Sequence, residues 1–152
     1  MSDPSTFRGM QVCGFGHPRS DLRRELVDLV LAGTKTATAG LMVEMELDGE
    51  TIPVPGMREA IIDAEDRIVG EMETTECRIV RMAEVDDAFA RDEGEGFRDA
   101  AHWRRAHEGF WNAYLDELRH RLGEPDWSLS DDTLIMCQRF RLAERYPEPI
   151  PI

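Results

Sequence analysis

Between Ile68 and Met82 the chain alternates, with Ile68, Gly70, Met72 and Thr74 on one side and Val69, Glu71 and Glu73 on the other. A period of two is the signature of a strand. The alternation is imperfect and the run is long, which suits a curved strand of the kind that builds a small barrel. The rest of the chain has to supply partners for that strand and cover for its apolar face.

The flanking sequence supplies both. Ser20 is a good helix N-cap with Asp21 in the first turn, Leu22, Leu26, Leu29 and Val30 recur at helical spacing, and Gly33 ends the helix. Thr36 to Leu47 reads as a strand, Asp48-Gly49 as a turn, and Pro55-Gly56 as a second turn of type II character. Ala60 to Asp63 is a strand joined to Ile68–Met82 through Glu65-Asp66. A short helix is expected over Asp86 to Asp92, running into the acidic, glycine-rich stretch Glu93-Gly94-Glu95-Gly96. Asp99 caps a longer helix expected to end near Gly123, and Thr133 to Leu142 forms the last strand, with Leu134, Met136, Gln138 and Phe140 on one side. Helix, strands, helices and strand in that order predict an α+β fold, a small mixed or antiparallel barrel flanked by helices. Its 152 residues fit one domain, with residues 1–10 and an extended, proline-rich tail at 146–152 peripheral.

No apolar run is long enough to span a membrane, and Met1 to Ser5 lack the basic and apolar stretches of a secretory signal. Cys13, Cys77 and Cys137 are scattered, without a C-x-x-C pair. Reduced thiols in a cytoplasmic protein explain them better than a disulfide framework. The formal net charge of -13 disfavours sequence-independent binding to a long polyanion and favours a small neutral or cationic substrate. A local basic face built from Arg104, Arg105, Arg119, Arg121, Arg139 and Arg141 would offset this; the alternative is a set of surface charges paired with acids.

Lys35 is the only lysine among 18 basic residues. An ammonium can lose its proton in a suitable environment and a guanidinium effectively cannot, so position 35 can ask for chemistry that Arg does not supply. It sits in Gly33-Thr34-Lys35-Thr36-Ala37-Thr38, just past the first helix. On a turn, Lys35 and Thr38 can converge as base and nucleophile. The plainer reading is a cation complementing the helix C-terminus. Glu93 and Glu95 are either an acid–base pair with separated pKa values or a solvated acidic loop. Trp103, Arg104 and His107 fall together on the helix capped by Asp99, where an aromatic stripe is also ordinary core packing. The four histidines and three cysteines lack zinc-type spacing, so no metal is expected, and Gly14-Phe15-Gly16 is too short for a dinucleotide fingerprint, so no cofactor is expected either.

Four stretches in this order resemble the ASCH domain family, within the PUA-like group and closest to its longer bacterial branch. They are Gly33 to Thr38 after a leucine-rich helix, Glu71-Met72-Glu73-Thr74-Thr75, Phe89 to Gly96, and Trp103-Arg104-Arg105-Ala106-His107. The resemblance covers roughly Phe15 to Phe140. It implies a PUA-like small β-barrel flanked by helices, with a cleft for RNA or a nucleoside. One bacterial branch of that family consists of amidohydrolases that deacylate N4-acetylcytidine. Its functional Lys, Thr and Glu fall on Lys35, Thr38 and Glu93 here, with Thr36, Glu95, Trp103, Arg104 and His107 expected to contact the substrate. A metal-independent ribonuclease on single-stranded RNA, an RNA-binding module and a non-catalytic nucleoside sensor are the alternatives the family offers. Asp99 stands where that pattern has Ser, and Met45 where an aromatic is frequent.

Overall fold

The computed structural model describes residues 3–152. Met1 and Ser2, which open the stretch read as no secretory signal, lie outside the described residues. The described chain folds as two compact units, each assembled from separated segments: residues 3–36, 53–76 and 139–152 form the first, and 37–52 and 77–138 the second.

The first unit contains β1 (Thr6–Phe7), β2 (Met10–Cys13), α1 (Asp21–Leu31) and β4 (Arg58–Ile62). It also holds the first part of β5 (Arg67–Arg81) and the second part of β6 (Leu134–Pro151). Ser20 stays extended and its side chain accepts the Arg23 N–H, the capping bond the sequence predicts. At the other end Gly33 takes φ +78, where only glycine is unstrained, and its N–H bonds back to Val30 O. Leu26, Val27 and Val30 turn inward onto Phe15, Ile61, Val69, Met72 and Phe140. Leu22, expected on that face, is exposed, and Arg23 is buried in its place. All three nitrogens of the Arg23 guanidinium are bonded: a two-toothed pair with Asp3 at 2.8 Å, and bonds to Phe15 O and Gly16 O at 3.0 Å. A charge this deep needs all of them. A second cluster, Ala60, Ile62 and Ile68, packs with Phe7, Met10, Val12, Tyr146 and Ile150. The residues read as a peripheral tail are therefore extended, as expected, but continue β6 and bury apolar side chains.

β2 runs parallel to β4 and β4 antiparallel to β5, with Ala60 opposite Glu71 and a bulge between Ile61 and Ile62. The bulge adds twist where the strand pair must curve.

The second unit contains β3 (Ala37–Leu41), α2 (Met42–Asp48), a 3-10 turn at Met82–Glu84 and α3 (Asp87–Asp92). It also holds α4 (Ala100–Asn112), α5 (Leu115–Leu122) and the remaining parts of β5 and β6. The strand expected over Thr36–Leu47 is correct only as far as Leu41. Met42, Glu44, Met45, Glu46 and Leu47 are good helix formers, and Gly49 at φ +66 is a left-handed helix C-cap rather than part of a hairpin. Asp86 and Asp99 cap α3 and α4, accepting the N–H groups of Phe89 and His102 at 2.8 Å. Asp99 thus does what a serine there would do. The long helix expected to reach Gly123 is two helices, broken at Tyr114, where no side chain caps α5. Met45 fills its site beside Met42 and Met136. The unit's main core gathers Leu41, Met82, Phe89, Trp103, Trp111, Leu118 and Ile135.

The strands lie in the order β1-β2-β4-β5-β6-β3, one mixed six-stranded sheet whose end strands are not paired to each other. With five α-helices among the described residues the fold is α+β, as the sequence predicts.

Candidate functional site

Lys35 follows directly from the way α1 ends. Leu29 O accepts both the Thr34 and the Lys35 N–H, at 3.0 and 3.1 Å, which fixes the backbone at the start of the turn. The side chain is not a solvated helix-end cation: Lys35 is 2% exposed, and its Nζ lies 5.8 Å from the centroid of the Phe15 ring. A lysine held this far out of water, against an aromatic face, costs free energy unless the environment compensates for its charge. Thr36 is exposed, and its carbonyl takes the Phe140 N–H at 3.0 Å. Thr38 lies in β3, half-buried.

In the second unit Glu93 is the C-cap residue of α3 and is 1% exposed. It is not the solvated acid of a glycine-rich loop. The Trp103 indole N–H donates to Glu93 Oε2, and His107 Nε2 stands 3.4 Å from the same oxygen. Trp103 and His107, one helical turn apart, stack with ring centroids 4.1 Å apart and planes 23° apart. His107 Nδ1 meets Trp103 O at 2.9 Å. Phe97 and Trp111 flank the imidazole at 5.6 and 5.2 Å between centroids. Trp111 was visible in the helical stripe; nothing in the sequence points to Phe97. Trp103 is fully buried and covered by His107, so it serves Glu93 rather than offering a stacking face, and Phe15 is buried as well. Cys137 has its thiol pushed up to about 12, first by burial and then by the charge of Glu93.

Glu95 is half-buried. Arg104 turns to Glu108 at 3.3 Å and Asp131 at 2.6 Å. Of the further arginines that might have formed a basic face, Arg119 pairs with Asp116, Arg121 with Asp48, Arg139 with Glu76 and Arg141 with Glu73. Among the described residues no group of three His, Cys, Asp or Glu side chains gathers as a metal site, and no helix is long and apolar enough to cross a membrane.

A family model for the ASCH domain matches residues 11–144, which takes in α1, the turn at Lys35, Glu93 and the Trp103–His107 helix. The chain belongs to the ASCH domain family. The ASCH match extends a few residues beyond each end of the stretch that carries the sequence resemblance. Among solved structures the chain is similar to a protein of Enterococcus faecalis, with a TM-score of 0.73 and 26% identity over 88% of this chain and 76% of that one. It is also similar to an ASCH domain from Lactobacillus crispatus, with a TM-score of 0.63 and 25% identity over 80% of this chain and 72% of that one. Comparison with curated proteins gives no match. ASCH membership places the chain in a family associated with RNA binding.

Proposed function

We propose that this ASCH protein is an amidohydrolase that removes the acyl group from N4-acetylcytidine-type nucleosides. The observation that carries the reading is the burial of two ionisable groups at matching family positions, the sole lysine Lys35 and the carboxylate of Glu93. Chains seldom bury such groups without a task, and they gather at functional sites. In this reading the Thr38 hydroxyl attacks the acyl carbonyl while Lys35, as a neutral amine, takes its proton. The bond from the acyl carbon to the exocyclic nitrogen breaks, and Glu93 gives a proton to the departing cytidine amine. Water then releases acetate and restores Thr38. If Lys35 stays an ammonium, it acts instead by polarising the carbonyl. Thr36, Glu95, Arg104 and His107 are proposed to contact the nucleoside or to orient the groups that do.

A small neutral substrate also agrees with the chain's charge. The net charge is -13, and Arg104, Arg119, Arg121, Arg139 and Arg141 are already paired with acids. That pairing argues against a long RNA held by phosphate contacts. The test is release of acetate and cytidine from N4-acetylcytidine by purified protein. Absence of turnover, with a known amidohydrolase active in the same assay, would leave RNA binding or nucleoside sensing as the function.

A further inference from the structure

We propose that His107 is a positioning residue that holds a shared proton against Glu93 and restores it between turnovers. The inference rests on the reading above for Glu93 as the acid, but the shared proton itself is argued from geometry alone.

The argument begins with donors and acceptors. His107 Nδ1 lies 2.9 Å from Trp103 O. A carbonyl oxygen only accepts, so Nδ1 carries a hydrogen. In a neutral ring Nε2 would then present a lone pair, and it faces Glu93 Oε2 at 3.4 Å. A lone pair against a carboxylate oxygen is repulsive. One proton therefore belongs between them, as imidazolium with carboxylate or as imidazole with carboxylic acid.

Two contacts favour the first form. The Trp103 N–H donates to the same Oε2, which stabilises the carboxylate. The imidazole lies flat over the indole, where the ring quadrupole favours a cation. Arg104 and Glu108, on the same helix, pair with each other, and Arg104 also pairs with Asp131. Phe97 and Trp111 are neutral rings. The Cys137 thiol on β6 is held in its neutral form by burial and by Glu93.

The pair is also asymmetric toward solvent. The Glu93 side chain is 1% exposed and the His107 side chain 15%. The imidazole is the member that meets water, so it is the route by which a sealed carboxyl regains its proton. In the proposed step the proton moves from Nε2 to the Glu93 carboxylate, leaving a neutral ring with Nδ1–H. The acid then passes that proton to the leaving amine. Water reprotonates Nε2, so one proton enters from solvent for each one that leaves on cytidine.

The experiment is nitrogen NMR of the full chain with labelled histidine, assigned with His107→Asn. At about pH 8, where an unperturbed imidazole is neutral, His107 is expected to show N–H at both ring nitrogens. Glu93→Gln should shift its deprotonation to lower pH. An unprotonated Nε2 in the wild type at that pH, or a titration unchanged by Glu93→Gln, overturns the proposal. Should Glu93→Gln fail to fold, the wild-type spectrum decides alone. In the turnover assay, His107→Gln keeps an N–H near Nε2 but cannot deliver its proton. It should lower kcat on the order of 100-fold with KM unchanged, and wild-type kcat with an unaltered pH profile would count against the relay. A wild type inert on N4-acetylcytidine removes the hydrolase reading, while the spectra still decide the shared proton.

Discussion

The indole N–H of Trp103 donates to the carboxylate of Glu93 within the main core of the second unit. This bond ties α4 to the end of α3 and satisfies one oxygen of a carboxylate that water does not reach. Trp103→Phe keeps a ring but removes the donor. Loss of a hydrogen bond to a buried charge, with a small void, should cost roughly 2–4 kcal/mol. Urea denaturation checks it; a change below about 0.5 kcal/mol, the scale of ordinary surface substitutions, would mean that the bond contributes little.

Arg23 and its neighbour Arg24 make a matched pair for testing burial. Arg23 is 1% exposed and bonded to Asp3, Phe15 O and Gly16 O. Arg24 holds Asp21 and Glu65 at the surface. Arg23→Ala empties a filled site and leaves Phe15 O and Gly16 O without their donor, so a loss of roughly 2–4 kcal/mol is expected. Arg24→Ala, which removes only solvent-exposed pairs, should change stability far less. Equal effects in thermal unfolding would contradict the assignment of Arg23 as the inner clamp.

Alkaline pH should weaken the fold through Cys137 and Tyr146. The Cys137 thiol is pushed up to about 12 by burial, against 9.0 for a free thiol. The Tyr146 hydroxyl also rises to about 12, through desolvation and its bond to Glu71, against 10.0. Both groups have raised pKa values in the folded protein, so their contribution is complete below the unfolded values and is lost as pH climbs toward the folded ones. The expected window is pH 9 to 12 for the thiol and 10 to 12 for the phenol. Cys137→Ser should flatten the lower part of that slope. Alkylation of Cys137 in native protein at about pH 8, as rapid as for a free thiol, would show that the thiol is not shielded.

The caps of α1 and α4 were the most legible part of the fold, because Ser20 and Asp99 satisfy N–H groups that every helix leaves open, whereas Asp86, read as the first residue of a short helix, proves to be its cap. The β4–β5 hairpin was legible from its alternation. Two errors share a cause: α2 and the break at Tyr114 depend on local choices that periodicity does not fix. Asp48-Gly49 suits a hairpin turn and a helix C-cap equally, since both need a positive φ at glycine. Tyr114 carries no breaking residue, and its side chain is committed to Glu44, 70 positions away in sequence. The burial of Arg23 and Glu93 was not legible, because a charged residue reads as surface until its partners are known. Pairing of the arginines with acids was one of two open readings, and contacts such as Arg121 with Asp48, 73 positions apart, are not visible in the sequence.

The central claim is that buried Lys35 serves chemistry that a guanidinium cannot perform. The measurement that tests it most directly is hydrolysis of N4-acetylcytidine by the wild type and by Lys35→Arg, followed by chromatography, with thermal unfolding of both proteins to establish that the variant folds. Cytidine released by the wild type and at least roughly 100-fold less by a folded variant, the scale expected for a lost general base, is the predicted result. Equal rates, or no cytidine from the wild type, would contradict it.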